Sequence, residues 1–184
     1  MYENKLLVVV DVQNDFVSGA LGTSEAQAII PNIVKKIRDW DGAIISTLDT
    51  HDDNYLNTNE GKHLPVPHCI NGTSGWDQNA EVADAIRAKQ EVSQFPETAV
   101  WTVGKDTFAS TTLPTVVCDG RYGYIELIGL CTDICVVSNA LFLKAHYPEL
   151  TIAVDPTCCA GVTPESHKAA LTTMKMCQIE IVGS

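Results

Sequence analysis

The chain has 184 residues, of which 45% are hydrophobic and 19% are charged, and these values predict one soluble domain that spans residues 1–184. Its formal net charge of −11 disfavours nucleic acid as a partner, because the phosphate backbone is also negative. No apolar segment approaches the roughly 20 residues that span a membrane, and the seven cysteines, an odd number without disulfide-type spacing, indicate reduced thiols and a cytoplasmic location.

Six short apolar segments predict strands, at residues 5–10, 43–48, 99–103, 124–130, 151–154 and 178–182. Most are continuous rather than alternating, which is typical of strands buried on both faces of a parallel sheet. The first is too short and poorly flanked for a signal peptide. Helical patterns lie between the strands at residues 31–40, 80–89, 133–146 and from Thr163, a predicted N-cap, through Met176. This alternation predicts an open parallel sheet with helices on both faces.

The polar segment 50–78 is the exception to this alternation. It is rich in Pro, Gly, His and Asn, and a loop of that length inside a compact domain is usually functional. In open parallel sheets, ligands bind beyond the carboxyl ends of the strands. Asp11, Asp49, Lys105 and the segment after Leu130 all follow predicted strands, so we expect them to converge on one site.

Cys135 falls where a predicted strand turns sharply into a helix, within GLCTDICV at residues 129–136. Free backbone N–H groups and the helix dipole favour negative charge at such a place, so the thiol pKa should fall and the thiolate could act as a nucleophile. The same N–H groups could hold an oxyanion. The alternative is a buried structural cysteine, and the position at a strand-to-helix turn favours the catalytic role.

Asp11 and Lys105 are candidate partners of that thiol. Asp11 ends an apolar segment, where a buried carboxylate costs free energy unless it is paired or used. It could take the thiol proton and later give it to a leaving amine, or it could cap the following loop, a role that suits Asp15 better. Lys105 could keep Asp11 ionised and Cys135 deprotonated, and the alternative is a solvated surface lysine.

A third group of residues has the donor atoms of a metal site. Asp49 and His51 lie two residues apart beyond a predicted strand, and Glu60, His63 and His68 follow in the long loop. Mixed oxygen and nitrogen ligands suit Zn, Mn or Fe. The alternative is a set of polar residues that only form turns, and spacing alone does not exclude it.

Together these residues resemble the isochorismatase-like cysteine hydrolases, and nicotinamidases in particular. The matching segments, in order and with the family's spacing, are DVQNDF from Asp11, DTH at 49–51, HCINGT from His68, Lys105, and GLCTDICV at 129–136. The first and the last of these are the most specific. The resemblance implies an α/β fold with three α/β/α layers and a six-stranded, mainly parallel sheet.

The resemblance also implies a mechanism. It assigns Cys135, Asp11 and Lys105 to a catalytic triad, and the backbone N–H groups of Cys131 and Cys135 to an oxyanion hole. It implies a cis peptide between Leu130 and Cys131. The implied reaction is hydrolysis of a small-molecule amide through a thioester, with nicotinamide as the first candidate substrate.

The resemblance also implies a divalent metal ion and no organic cofactor. The resemblance assigns Asp49, His51 and His68 as ligands, with Glu60 as the fourth and His63 as its rival. It makes no choice among Zn, Mn and Fe. Members of the family usually form homo-oligomers, so we expect one here, and we expect no membrane partner.

Phe16, Phe108 and Leu130 are the expected substrate contacts. Pro65 and Thr112 stand where some nicotinamidases have aromatic residues, which makes another small amide or an N-carbamoyl compound the rival substrate. Isochorismatases proper lack the nucleophilic cysteine, so they are a poorer match. An alternative of another class is a non-catalytic or redox-reactive thiol protein that uses Cys135 or the adjacent pair at 158–159.

Overall fold

A computed structural model describes residues 4–92, 101–117 and 122–183. Its centre is a six-stranded sheet with the order β3-β2-β1-β4-β5-β6, in which each described pair is parallel. The strands are β1 Lys5–Val10, β2 Ala43–Asp49, β3 Trp101–Lys105, β4 Tyr124–Leu130, β5 Thr151–Ala160 and β6 Glu180–Ile181. The chain runs outward from β1 in one direction and from β4 in the other, so the switch point lies between these two strands, where ligands bind in such sheets.

Helices connect the strands on both faces. Within the described ranges they are α1 Asn14–Val17, α2 Ser24–Ala28, α3 Ile30–Asp39, α4 Asn59–His63, α5 Ala80–Val92, α6 Leu113–Val117, α7 Val137–His146 and α8 Pro164–Met176. None of the helices in this part of the chain is both long and apolar enough to cross a membrane.

Burial on both faces explains the continuous apolar sequence of β1. Leu7 and Val9 pack in one cluster with α3 and α5, and Leu6 and Val8 pack in a second cluster with α7 and α8. All four side chains are fully buried, and each such burial stabilises the fold by about 1.5–3 kcal/mol. The sheet is therefore the middle of three α/β/α layers, as the resemblance implies.

The predicted strands are confirmed, with changes at some ends. β1 and β4 have the predicted bounds, β2 extends to Asp49, and β6 contains only Glu180–Ile181. β3 continues past the predicted 103 to Lys105, and its first predicted residues, 99–100, lie outside the described residues. β5 continues past residue 154 because a register shift opposite Leu127–Gly129 accommodates Pro156. A bulge of this kind keeps the strand paired where proline cannot donate a hydrogen bond.

The predicted helices agree less well at their ends. α3 begins one residue early, and α5 continues to Val92. Thr163 caps α8 as predicted, because its hydroxyl accepts from Ser166 N at 3.1 Å. The prediction for 133–146 is wrong at its start, since Thr132–Val136 form one turn of π-helix before α7 begins.

The segment 50–78 contains a 3₁₀ turn at Tyr55–Asn57 as well as α4. Asp15 holds this segment against the start of the chain, because its Oδ2 accepts from Cys69 N at 2.8 Å. The same carboxylate accepts from Ala20 N at 3.2 Å. Asp15 therefore has the loop-capping role that the sequence predicted for it rather than for Asp11.

Candidate active site

The carboxyl ends of β1, β2 and β3 bring Asp11, Asp49 and Lys105 together. Asp49 and Lys105 are paired in register across β2 and β3, and Asp11 directly follows β1. The turn that carries Cys135 follows β4, the other neighbour of β1. The predicted convergence of these residues on one edge of the sheet is confirmed.

Lys105 is the centre of this group. Its Nζ lies 2.7 Å from Asp11 Oδ2, 3.0 Å from Asp49 Oδ1 and 3.5 Å from Cys135 Sγ, with the side chain 1% exposed. Burial lowers the pKa of Lys105, but its interactions with Asp11, Cys135 and Asp49 outweigh burial and raise the pKa above its usual range. The lysine is therefore a buried cation, and the surface-lysine alternative is wrong.

Asp11 is fully buried and has φ +47°, a left-handed conformation that is uncommon outside glycine. Thr47 Oγ1 donates to its Oδ1 at 2.7 Å. Burial raises the pKa of Asp11 and Lys105 lowers it, with a net rise above the ordinary value. A carboxylate with a raised pKa is a stronger base than an ordinary aspartate.

Gly129 allows β4 to approach β1 closely beside Asp11. It has φ +118°, and a Cβ atom there would lie 2.1 Å from the carbonyl oxygen of Val10. Any other residue at this position would push the two strands apart. The peptide bond between Leu130 and Cys131, which follows shortly after Gly129, is cis, as the resemblance implies.

Cys135 lies in the π turn and is 5% exposed. The turn closes through Val136 N, which donates to the Cys131 carbonyl at 3.0 Å, and π turns are frequent at functional sites. The predicted fall in the thiol pKa is wrong. Burial raises the pKa of Cys135 well above its ordinary value, the Asp11 carboxylate raises it further, and Lys105 opposes both.

Asn139 was missed by the sequence analysis. It is fully buried, and its Nδ2 donates to the Cys135 carbonyl at 2.8 Å while Ser110 N donates to its Oδ1 at 2.9 Å. It therefore links the π turn that carries Cys135 to the segment after Lys105. The available signal was a polar side chain on the apolar stripe of a predicted helix, four residues after Cys135.

Gln13 and Thr132 were missed as well. Gln13 is fully buried; its Nε2 donates to the Asp49 carbonyl at 2.9 Å and its Oε1 accepts from Asp49 N at 2.7 Å. This pair of bonds fixes the backbone that carries Asp49. Thr132, also fully buried, forms a hydrogen bond of 2.8 Å with Nδ1 of His167 on α8.

The predicted metal ligands also converge. One donor atom from each of Asp49, His51 and His68 lies within 4.8 Å of the others. Glu60 Oε1 is 3.7 Å from His51 Nε2 and 3.8 Å from His68 Nε2. His63 is exposed, with Nδ1 2.8 Å from the Asn59 carbonyl. The geometry thus favours Glu60 over His63 as the fourth donor.

These residues fit a divalent ion. His51 Nε2 is buried without a hydrogen bond, although Asp49 Oδ2 lies 3.0 Å away, and an unsatisfied buried nitrogen is unfavourable. His68 Nδ1 is bonded to the Val66 carbonyl at 2.8 Å, which turns its other nitrogen towards the cluster as in metal sites. Burial raises the pKa of Asp49, but the two neighbouring imidazoles and the charge of Lys105 lower it overall, so this predicted ligand is ionised.

A cavity of about 1040 Å³ opens beside this cluster. The three expected substrate contacts, Phe16, Phe108 and Leu130, all line it, together with Cys131 from the nucleophile turn. Phe16 and Leu130 are buried, and Phe16 packs edge-on against His68 with ring centroids 5.4 Å apart. A small molecule in this cavity would lie between the cluster of Asp49, His51 and His68 and the π turn that carries Cys135.

The profile of the Isochorismatase domain matches residues 5–184. The chain belongs to the isochorismatase family. This isochorismatase-family chain is 27% identical over 188 residues to the nicotinamidase/pyrazinamidase of Mycobacterium tuberculosis, an alignment that covers 98% of this chain and 99% of the relative.

Solved structures of the same family superpose along nearly the whole chain. The pyrazinamidase/nicotinamidase of Streptococcus mutans is 28% identical with a TM-score of 0.82, covering 97% of this chain and 100% of its own. A pyrazinamidase of Pyrococcus horikoshii in complex with zinc is 25% identical with a TM-score of 0.77, covering 99% and 100%. The zinc complex and the Asp49, His51 and His68 cluster together support a divalent metal in the present chain.

Proposed function

We propose that the protein is a metal-assisted nicotinamidase that converts nicotinamide and water to nicotinate and ammonia. The coarser assignment, an isochorismatase-family hydrolase of amide C–N bonds, is supported by the family match and by the nicotinamidase relatives. The observation that most supports a metal-assisted nicotinamidase is the buried Lys105 ammonium, which contacts Asp11, Asp49 and Cys135 at once. One cation thereby joins the nucleophile and its base to the metal cluster.

In the proposed first step, Cys135 begins as a neutral thiol because burial raises its pKa. Asp11 takes the proton as Sγ attacks the amide carbon, and its own raised pKa makes it a suitable acceptor. Lys105 stays positive and stabilises the charge that passes between the two groups. Backbone N–H groups of Cys131 and Cys135 would hold the oxyanion of the tetrahedral intermediate.

Asp11 then returns the proton to the leaving nitrogen, ammonia departs, and a thioester on Cys135 remains. A water molecule, deprotonated by Asp11, attacks the thioester carbon. The second tetrahedral intermediate expels the thiolate, which takes its proton from Asp11, and the nicotinic acid formed loses its proton to solvent as nicotinate. The buried position of Cys135, 5% exposed, limits competing reactions of the thiol with solvent.

Asp49, His51, His68 and Glu60 would hold the divalent ion, for which Zn, Mn and Fe are the candidates. When bound, the ion supplies a Lewis-acidic site for a ring nitrogen of the substrate. Gln13 holds the backbone of Asp49. Tyr55 packs against both imidazoles, with ring centroids 4.7 and 5.0 Å away, and so limits their rotation.

Another small amide or an N-carbamoyl compound is the rival substrate. The alternative of a redox-reactive thiol protein is less well supported. Cys158 and Cys159 are buried, burial raises the pKa of Cys158 to about 11 and that of Cys159 further, and such thiols react slowly. The six cysteines in the described ranges are all free.

A single domain over residues 1–184, a homo-oligomeric state and a cytoplasmic location stay predictions. Light scattering on the purified protein would measure the mass of the assembly, and a monomer would contradict the oligomer. The absence of nucleic-acid and membrane partners stays a prediction too.

Ammonia release from nicotinamide tests the proposed function. The purified protein is assayed with Zn, Mn or Fe and after chelation, beside Cys135→Ala and a matched control, Cys177→Ala, which removes an exposed thiol on the far end of α8. We expect turnover that requires Cys135, is lost on chelation and is unchanged in the control. Absence of turnover with every metal would contradict nicotinamide as the substrate, and turnover by Cys135→Ala would contradict the nucleophile.

A further inference from the structure

The cavity beside the nucleophile turn is larger than nicotinamide needs. Its volume of about 1040 Å³ lies at the upper end of the roughly 300–1,000 Å³ that is typical of pockets for drug-sized ligands. Nicotinamide is a single ring with one carboxamide. If its carboxamide lies at Cys131 and its ring between Phe16 and the metal cluster, much of the cavity stays open towards Phe108.

The open part of the cavity is apolar. Phe108 and Val162 line it and are 47% and 53% exposed. Only two other large hydrophobic side chains are as exposed in the described part of the chain, Leu56 and Met176, and neither lines this cavity. Exposed apolar surface that gathers at one cavity mouth indicates a surface that a ligand covers.

The charge at the same mouth is negative. Among the described lining residues there is no Lys or Arg, whereas Asp52 and Asp106 are exposed there and form no ion pair with a described residue. Asp11 has Lys105 as its counter-ion, and a divalent ion would balance Asp49 and Glu60. The two exposed aspartates therefore add negative charge at the mouth that an entering molecule meets.

We propose that the site takes neutral or cationic aromatic amides that carry an additional apolar group on the ring, and that it disfavours anionic ones. The inference rests on the proposed amide hydrolysis and specifies its substrate class. The added group would cover Phe108 and Val162. An anionic group would lie near Asp52 and Asp106 without a cationic partner, which opposes binding through like-charge repulsion.

Four substrates separate size from charge. They are nicotinamide, a phenyl-substituted nicotinamide, and two versions of the latter with a para carboxylate or a para trimethylammonium on the phenyl ring. We expect kcat/KM for the phenyl compound to exceed that for nicotinamide by roughly three- to tenfold, because part of an apolar ring leaves water. At low salt the cation should exceed the anion by roughly three- to tenfold, and the ratio should shrink towards one at high salt because exposed charges are screened.

Variants identify the side chains responsible. Asp52→Asn with Asp106→Asn should bring the cation-to-anion ratio close to one, and Phe108→Ser should lower the phenyl-to-nicotinamide ratio. Asp41→Asn is the matched control, because Asp41 is also an exposed aspartate but precedes the amino end of β2, at the opposite end of the strands from the site. It should leave both ratios unchanged.

The outcomes distinguish this inference from the function on which it rests. The inference is overturned if nicotinamide is hydrolysed but the phenyl compound is not. It is also overturned if the anion is hydrolysed as well as the cation at low salt. In both cases the nicotinamidase proposal stands. If none of the four is hydrolysed, both are overturned. The wild-type ratios alone decide the matter should the double variant fail to fold.

Discussion

At the scale of single residues, Lys105 is the side chain on which most of the site depends. Lys105→Met keeps the length of the side chain but leaves the buried carboxylates of Asp11 and Asp49 without their cation. Removing one partner of a buried ion pair typically costs about 3–5 kcal/mol, so we expect a large fall in the free energy of unfolding, measured with urea, and loss of turnover. Lys35→Met is the matched control, because Lys35 is 78% exposed in its ion pair with Asp39 and such pairs contribute little.

Asp11→Asn removes the proposed proton acceptor while it preserves the size and part of the hydrogen bonding of the side chain. The amide is nearly isosteric and keeps an oxygen that can accept from Thr47, but it cannot take a proton from Cys135. We expect kcat to fall by roughly 100- to 10,000-fold, the usual contribution of a general base, in steady-state assays with nicotinamide. Asp53→Asn, at an exposed loop position, should leave kcat unchanged. Wild-type turnover by Asp11→Asn would remove this residue from the mechanism.

At the scale of elements, α8 is joined at two points to the π turn that carries Cys135. His167 bonds to the buried Thr132 hydroxyl at 2.8 Å, and Val162 N, just before α8, donates to both oxygens of Asp133 at 3.1 and 3.2 Å. Burial lowers the pKa of His167, so its ring is neutral at pH 7. The turn that presents Cys135 is therefore positioned by a helix distant in sequence.

His167→Leu should lower stability by about 1–3 kcal/mol, because it leaves the buried Thr132 hydroxyl without a partner. Since the same turn carries the proposed oxyanion donors, we also expect kcat to fall more than KM changes. Urea unfolding and steady-state kinetics measure the two effects. His146→Leu replaces an exposed histidine on α7 and should be nearly neutral, and an equal loss in both variants would show that Thr132 does not need His167.

Two elements differ from their predictions for the same reason. The π turn and the β5 bulge each insert extra residues into an otherwise regular element. In both cases contacts with elements distant in sequence stabilise the inserted residues. The π turn is joined to α8 through Thr132, and β5 pairs with β4 on both sides of Pro156. Apolar periodicity describes regular elements, so it predicts that these elements exist but not where they depart from regularity.

At the scale of the whole molecule, the sequence predicts the sheet and the place of the site well. Strands buried on both faces have continuous apolar sequences, which predicts the sheet. The carboxyl ends of parallel strands lie along one side of the sheet, which predicts that Asp11, Asp49 and Lys105 lie close together. The thiol pKa was predicted wrongly because the helix-dipole argument is local, whereas the burial of Cys135 depends on the entire fold. Asn139 was missed because nothing near it in sequence indicates that its partner is Ser110.

The layers are also joined by a partly buried ionic group away from the candidate active site. Lys36 on α3 contacts Glu126 on β4 and Asp155 on β5, both at 2.7 Å. Thr157 also donates to Asp155 through its N and Oγ1, at 2.9 and 2.7 Å. Burial raises the pKa of Asp155, but these donors and the Lys36 charge lower it overall. A carboxyl group whose pKa is lower in the folded state stabilises the fold above its unfolded pKa, and this stabilisation is lost as the pH falls through the folded pKa.

Asp155→Asn should therefore destabilise the protein at pH 7 by about 1.5–3 kcal/mol, the range for a hydrogen bond to a charged group. The difference from wild type should shrink as the pH falls below about 4, where the carboxyl of the unfolded chain begins to take up a proton while the folded one still resists it. Urea unfolding at several pH values measures it, and Asp41→Asn, at an exposed aspartate, should show little change at any of them. A difference that persists undiminished into acid would mean that Asp155 acts through its shape and packing, and that the charge on Lys36 does not join the helical layer to the sheet.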